Sequence, residues 1–369
     1  MRRRLWNTIL EMALQSSLAS GGPPFISLDD FDTAPPGNFD DDQITTDDPI
    51  PQPPDHFTQV SIALALRETF PQRLAVAKFL NDLASPVAYE KTLQLDAELR
   101  AAYKSLGCIL SAYSRSTTGS APSQYEIRMV DFIMHRYLLS LHGPYFGAAF
   151  NETVYAFSRK VVVESSLKIW RAAYPVSAQP LNGAVAPKAD ELQRLITCSS
   201  GFYPAGAIHA AILIAVDLRM QLKEDDSLEP MPLRPDLLSV LQESRSWCLQ
   251  AIEAGETNVK GYLLMSMIAT QIEGLMHGLG EDEIAGLLIK AVENVGEKCV
   301  PILTAMASKT HGEGEEAGGG LQQLQSAECN ETMEDLGCMS SDTLFDFGNA
   351  EPMGWMFNDN PDMGSPSLW

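Results

Sequence analysis

Two groups of acidic residues are the first candidates for chemistry: Asp29-Asp30-x-Asp32 and Asp40-Asp41-Asp42. Clustered carboxylates can hold magnesium for a diphosphate substrate, provided they are fixed at helix ends facing a cavity. These lie among Gly21-Gly22-Pro23-Pro24 and Pro35-Pro36-Gly37. The simpler expectation is therefore a solvated acidic loop whose Asp side chains cap turns. A second constellation is Asp131, His135 and His142, at i, i+4 and i+11, all able to share one helix face. A metal would want a further ligand and partners that orient the rings. The pattern fits an Asp131–His135 surface pair better, with His142 near a helix end before Gly143-Pro144. Arg2, Arg3 and Arg4 form a run too short to stand alone as an import signal or a DNA-contacting patch. No Gly-rich phosphate loop, nucleophile elbow or paired Cys/His signature is present. The residues assign no catalytic group, no cofactor site and no metal site.

The frame around these residues is acidic. The chain has 369 residues, 48 Asp and Glu against 26 Lys and Arg, and a formal charge of −22. That balance opposes a free-standing nucleic-acid binder, which needs clustered cations to neutralise phosphate. With 45% hydrophobic residues, the chain can bury an ordinary core. The longest apolar run, Ala205 to Val216, contains His209 and is shorter than a membrane span, so it reads as a buried helix. The charged start is followed by Asn7, Glu11 and Gln15, unlike the continuous apolar stretch of a secretory signal. Six scattered cysteines, Cys108, Cys198, Cys248, Cys299, Cys329 and Cys338, offer neither a zinc cluster nor a disulfide framework. They read as ordinary buried thiols of a reducing intracellular compartment.

Helical periodicity dominates. Leu5, Trp6, Ile9, Leu10, Ala13, Leu14 and Leu18 describe one face of a first helix. Three arginines oppose its macrodipole and nothing caps it, so the helix is expected to continue upstream in a longer protein. Residues 21–55 read as an extended, solvent-facing acidic connector that Phe25, Ile26, Phe31 and Phe39 could pin to a neighbouring surface. Further helices are expected over Phe57–Phe70, Leu74–Leu83, Leu93–Tyr113, Gln124–His142, Glu152–Ala173, Ala189–Thr197, Ala205–Leu222, Asp236–Glu253, Val259–Met276 and Asp282–Val295. Period-two alternation is almost absent, and no solenoid repeat appears. The expected fold is an all-α, irregular helical bundle. Its parts would be residues 1–55 (the end of a homology-domain core plus the acidic connector), a helical regulatory domain 56–309, and a disordered acidic tail 310–369.

The motifs also resemble a family. Arg2-Arg3-Arg4-Leu5-Trp6 is similar to the Arg-Arg-Arg-Leu-Trp-Trp motif in the middle homology domain of fungal transcription factors, mostly binuclear zinc-cluster regulators. The similarity continues through Ser17, Gly21, Pro23, Pro24, Asp30, Asp32 and Pro36. It returns at Leu139-Ser140-Leu141-His142-Gly143-Pro144-Tyr145 and at Phe157-Ser158-Arg159-Lys160. Asn7 stands where the family has a second tryptophan, and Gly143 where arginine is usual. The cysteine cluster of the zinc-bound DNA-binding module and the first half of the homology domain are missing from this sequence.

The resemblance implies a regulator of RNA polymerase II transcription in the nucleus. Zinc and DNA contacts would belong to an upstream module absent here. Partners implied are a small-molecule effector, a homodimer or related factor, and no membrane. A truncated regulator acting through dimerisation, and a metal-dependent terpene-synthase-like enzyme, are the alternatives. The tail adds its own expectation. Phe345, Phe347, Trp355 and Phe357 stand among Asp342, Asp346, Glu351, Asp359 and Asp362. Mutual repulsion keeps such a chain open and its aromatics available, so these four are candidate activation anchors for a coactivator groove. The competing expectation is that they fold back on the helical domain as a terminal latch.

Overall fold

Residues with apolar side chains every three or four positions must form helices that bury one stripe, and the computed structural model shows this throughout. It describes residues 1–45, 50–82, 89–115, 120–175, 191–199, 201–224 and 233–316. Eleven α-helices and no strand occur among the described residues: α1 (Arg2–Ser20), α2 (Ser61–Glu68), α3 (Phe70–Leu80), α4 (Tyr89–Arg115), α5 (Gln124–His142), α6 (Ala156–Ala173), α7 (Glu191–Cys198), α8 (Phe202–Glu224), α9 (Pro235–Glu253), α10 (Lys260–Met276) and α11 (Glu281–Glu316). The all-α expectation holds. Most boundaries lie within a few residues of the sequence reading, and α5 coincides with it because Ser123 and Glu126 form a capping box ahead of the apolar stripe. Helix α11 runs well past the expected Val295, through Pro301. Side chains beyond Ser308 and all residues after Glu316 lie outside the described part, as does the tail with its four aromatic anchors.

The described residues form two compact units, one over Met1–Gln193 and one beginning at Arg194, the division falling within α7. In the first unit α5 packs along α6 and against α3 and α4, and α1 lies on α3. Its main core joins Leu95, Leu99, Leu106, Met134, Tyr137, Leu138 and Leu141. A smaller core joins Leu10 and Leu14 of α1 to Phe70, Leu74 and Ala77 of α3. In the second unit α8, α9 and α10 pack together, and α11 lies on α10. Leu218, Leu237, Val240, Met265, Ile268 and Ile272 are buried in its interior, together with the polar Asp217, Arg219, Glu243, Ser244 and Ser266. Helix α8 is long and apolar enough to cross a membrane by length and composition, yet 67% of its apolar window is buried inside the protein. It has the character of a core helix, as the sequence reading expects.

The connector is mostly exposed or half-buried, as a solvent-facing connector would be, but it is not extended throughout, because it turns back near Asn38. Asn38 organises it: its Nδ2 donates to Pro53 O (2.9 Å) and His56 O (2.8 Å), while its Oδ1 accepts from Thr58 Oγ1 (2.6 Å) and Ser61 Oγ (3.3 Å). The chain is folded back on itself because one half-buried amide satisfies four partners. Of the expected pins, Ile26 and Phe31 pack on the α1–α3 core, whereas Phe25 is almost wholly exposed. The thiols also differ from expectation: Cys248 and Cys299 are buried, but Cys108 and Cys198 are exposed, and these four are free.

Candidate functional site

The acidic groups of the connector do what turn-forming carboxylates do. Asp30 Oδ2 accepts from the Ser27 backbone N–H at 2.6 Å, and Asp42 Oδ1 from Gln43 N at 2.9 Å. Asp40 Oδ1 accepts from Gln59 N at 3.3 Å, and Asp41 pairs with Arg4. No cluster able to hold a metal ion occurs among the described residues. Asp30, Asp40 and Asp42 accept from backbone donors and Asp41 pairs with an arginine, the turn-forming role expected of them.

The first unit holds two buried polar clusters; of the family-motif residues, Ser17 lies on the buried stripe beside the first, and His142 and Ser158 lie in the second. The first lies between α1 and α3. Asn7, Leu10, Leu14 and Ser17, at steps of three, four and three, form the buried stripe of α1. Leu5, expected to pack, is exposed: it sits more than 100° around the helix from Leu10. Trp6 is half-buried and meets the Phe31 ring edge-on, with centroids 5.5 Å apart. Of the three arginines, Arg4 donates to Asp41 and to Phe39 O, while Arg2 and Arg3 are exposed. The helix ends where Gly21 adopts φ 65°, and Ser17 Oγ donates to Gly22 O at 2.6 Å. Pro23 is exposed, Pro24 half-buried, Asp32 exposed and Pro36 buried.

At the centre of this cluster is an ion pair that the sequence reading missed. The Arg73 side chain has no exposed surface, and its guanidinium forks onto Glu11 of α1: Nη1 to Oε2 at 2.7 Å and Nη2 to Oε1 at 2.5 Å. Nε donates to Thr69 Oγ1 (2.9 Å) and Nη2 also to Leu66 O (2.9 Å). Burial alone would lower the Arg73 pKa, but Glu11 more than offsets it and raises it. The signal was available: Arg73 falls three residues after Phe70, on the buried stripe of α3.

The second cluster joins α4, α5 and α6. His142 stands at the helix end, as expected, as the last residue of α5, and it is fully buried. Its Nε2 lies 3.1 Å from Asp96 Oδ1 on α4, and its Nδ1 lies 2.9 Å from Ser158 Oγ on α6. Arg100 Nε, one turn after Asp96, donates to both carboxylate oxygens at 2.9 and 2.8 Å. Burial pushes the Asp96 carboxyl up, and the bonds from His142 and Arg100 outweigh it, so its pKa is lowered. An ionised carboxylate only accepts, so Nε2 carries the hydrogen and Nδ1 is free to accept from Ser158. Tyr89 OH lies 3.2 Å from Ser158 Oγ, and Tyr89, Tyr145 and Tyr155 stack around this end with centroids 4.8 to 5.1 Å apart. The neighbouring motif residue Arg159 stacks over the Phe150 ring at 4.6 Å, and Pro144 is exposed.

An Asp–His–Ser chain invites comparison with a hydrolase. Here the ring is reversed, with Ser on Nδ1 and Asp on Nε2, and Ser158 has no exposed surface from which to attack a substrate. The cluster is built to hold three helices together.

The expected Asp131–His135 pair is not made. Asp131 Oδ1 accepts from Tyr103 OH at 2.5 Å, and His135 packs edge-on against the Tyr103 ring at 5.5 Å with no partner for Nδ1. The phenol on the adjacent α4 reaches Asp131 and displaces the imidazole. Burial, together with Lys168 and Arg100, holds the His135 pKa down at about 4.

No family model matches the chain, and no solved structure matches it. Curated relatives do. "Transcription factor lepE" of Aspergillus flavus is 30% identical over 318 residues, covering 82% of this chain and 37% of that protein. "Aspyridones cluster regulator apdR" of Emericella nidulans is 27% identical over 283 residues, covering 74% of this chain and 38% of its own. "Zn(2)-C6 fungal-type transcription factor pigI" of Monascus ruber is 29% identical over 174 residues, 46% of this chain and 21% of its own. The chain spans less than two fifths of the length of these relatives. Its homologues are fungal transcription factors, in agreement with the resemblance carried by the motifs.

Proposed function

We propose that this chain, a homologue of fungal transcription factors, is the helical regulatory part of such a factor and controls RNA polymerase II transcription in the nucleus. The observation that supports this reading is sequence shared over four fifths of the chain with a named transcription factor. Zinc and DNA recognition are assigned to a module outside this sequence, since the six cysteines here are scattered and the charge is −22. The first unit acts as a scaffold: its polar clusters join helices, and neither offers a reacting group to solvent. Receipt of a small-molecule signal, pairing with a second copy or a related factor, and recruitment of a coactivator through Phe345, Phe347, Trp355 and Phe357 are the partner roles this reading assigns. By analogy with the aspyridones cluster regulator, the genes controlled would lie in a cluster.

The test is tethering. The full chain, and separately residues 340–369, are fused to an unrelated DNA-binding domain above a reporter. Reporter output should differ from that of the DNA-binding domain alone, and alanine at the four aromatic anchors should silence the tail fusion. Fusions that leave the reporter unchanged in both forms would overturn the regulatory reading.

A further inference from the structure

Helix α11 is apolar over about half its circumference, and α10 and α9 cover only part of that arc. Ile284, Ala291, Val295 and Cys299 are buried. Beside them runs a second stripe, in which Ile289, Val292 and Val300 are 63%, 43% and 61% exposed. The residues of this stripe read the same in both directions. Gly296 stands at the centre. Val292 and Val300 lie four residues to either side of it, Ile289 and Leu303 seven, and Ala285 and Ala307 eleven. Steps of four and three residues keep all of them on one side of the helix. Pro301 lies roughly 120° around the helix from Ile289, on the polar side.

The central glycine is a second sign. A glycine inside a helix is unfavourable relative to alanine, and the single chain gives no reason for this one. A Cβ at Gly296 would meet no neighbouring residue within 4 Å, and its φ is not left-handed. A missing side chain does have a use where two helices cross, since the side chains at the contact set how closely the axes approach. Gly286 is equally open but stands roughly 60° around from Ile289, off the stripe.

A pattern symmetric about one residue selects its occupant. An unrelated protein, or another segment of this chain, has no need of such symmetry. A second copy on a two-fold axis does, because there residue i meets j and j meets i. Turning α11 end for end about Gly296 sets Val292 on Val300, Ile289 on Leu303 and Ala285 on Ala307. Every step is apolar on apolar, with the small residues at the centre and the ends.

We propose that α11 pairs antiparallel with α11 of a second copy, about a two-fold axis at Gly296. This gives a surface to the pairing role assigned above, and it rests on that reading only for what the pairing serves. From Ala285 to Ala307 the stripe is about 33 Å long, at 1.5 Å per residue. One helix pair of that length buries less than the roughly 800 Å² per partner of a standard interface, so the association is reversible and in the micromolar range.

Sedimentation equilibrium of the full chain over micromolar concentrations should show its mass rising from one chain towards two. Ile289→Asp/Val300→Asp, at two exposed positions, should weaken the association at least about tenfold, because the pair would bury unmatched charge. Gly296→Leu should weaken it by a similar factor and leave the melting temperature of the dilute single chain equal or higher, since leucine favours helix and meets no neighbour there. That combination separates a blocked interface from a damaged fold.

Register is read with a short bis-maleimide, after Cys108, Cys198, Cys329 and Cys338 are replaced by serine. Val292→Cys and Val300→Cys chains should cross-link when mixed. Neither should cross-link alone, because like positions then lie about 12 Å apart along the axis. Cross-linking of Val292→Cys to itself would mean a parallel pair and overturns the proposal. A chain that stays monomeric throughout the range also overturns it. So does a dimer that survives Ile289→Asp/Val300→Asp, which would place the contact on another surface. Reporter fusions that stay silent remove the regulatory reading alone, because mass and cross-links are measured without transcription.

Discussion

The two polar clusters of the first unit solve the same problem by different means. Between α1 and α3 a full charge is buried: Arg73 has no exposed surface, and it is balanced by one carboxylate and two neutral acceptors. Between α4, α5 and α6 the buried ring of His142 has a partner at each nitrogen, Ser158 at Nδ1 and Asp96 at Nε2. The charge of Asp96 is shared with Arg100, which is nearly half exposed. One cluster fails if a single partner is lost, because the residual charge has no solvent. The other has water at its edge to soften a loss. The contrast predicts a ranking of effects.

The largest effect is at the fork. Glu11→Gln leaves the guanidinium buried and unbalanced, and removing one partner of such a pair costs about 3–5 kcal/mol. Urea unfolding followed by helicity should show this as a lower midpoint, with the slope unchanged if the transition stays two-state. Glu11→Leu combined with Arg73→Met should recover most of the loss, since the site then closes as an apolar core. A double variant no better than Glu11→Gln would show that the fork is needed for its shape rather than its charge balance.

Next comes acid sensitivity on α5. The His135 pKa is held down at about 4 in the folded chain against the ordinary 6.5 of a histidine. Between those values the unfolded chain binds the proton and the folded chain does not, so stability falls as pH falls through that window. The upper bound is roughly 3 kcal/mol, from 1.36 kcal/mol per unit. His135→Phe keeps the edge contact with Tyr103 and removes the proton, so its stability should vary less between pH 6.5 and 4. Parallel curves for the two proteins would place the acid sensitivity elsewhere.

Asp96→Asn should cost less than Glu11→Gln, about 1.5–3 kcal/mol for hydrogen bonds to a charged acceptor. Asp96 has a lowered pKa, so its contribution is present above the ordinary carboxylate value of 3.8 and lost as pH falls through the lower folded value. The gap between the two proteins should therefore narrow only at strongly acidic pH, below the window in which His135 acts.

The helices were legible because each carries a periodic stripe, and α5 could be bounded to the residue because its cap is local in sequence. The clusters were half legible. His142, Ser158, Ser17 and Gly21 stood out by motif, but Asp96 is 46 residues from His142 and Glu11 is 62 from Arg73. No spacing rule within one helix points across such distances. The paired reading of Asp131 and His135 failed for the same reason: a Tyr103 hydroxyl on another helix competes for the carboxylate. Leu5 shows a subtler limit. Its type marks it as core, while its angle around α1 places it outside, and the stripe through Asn7 and Ser17 shows that a polar residue can hold an inward position.

The smallest predicted effect separates backbone from side chain at the ends of the two helices that carry these clusters. Helix α1 stops at Gly21 with φ 65° and ψ 19°, a left-handed conformation in which a Cβ crowds the following carbonyl. Helix α5 passes into Gly143 with φ −51° and ψ −45°, ordinary helical values that any residue adopts. Gly143 can therefore stand where relatives of the motif carry arginine without any backbone demand, whereas Gly21 cannot be exchanged so freely. Gly21→Ala should lower stability by about 1 kcal/mol, and Gly21→Asn by less, because asparagine tolerates this region better than alanine. The comparison needs both variants. Gly21 is exposed, so a larger side chain meets no core, and an order of Ala worse than Asn isolates the backbone term. Equal losses would mean that the turn from Ser17 to Gly22 relaxes when disturbed. In that case the end of α1 is held by the packing of Leu10 and Leu14 on α3, and not by its glycine.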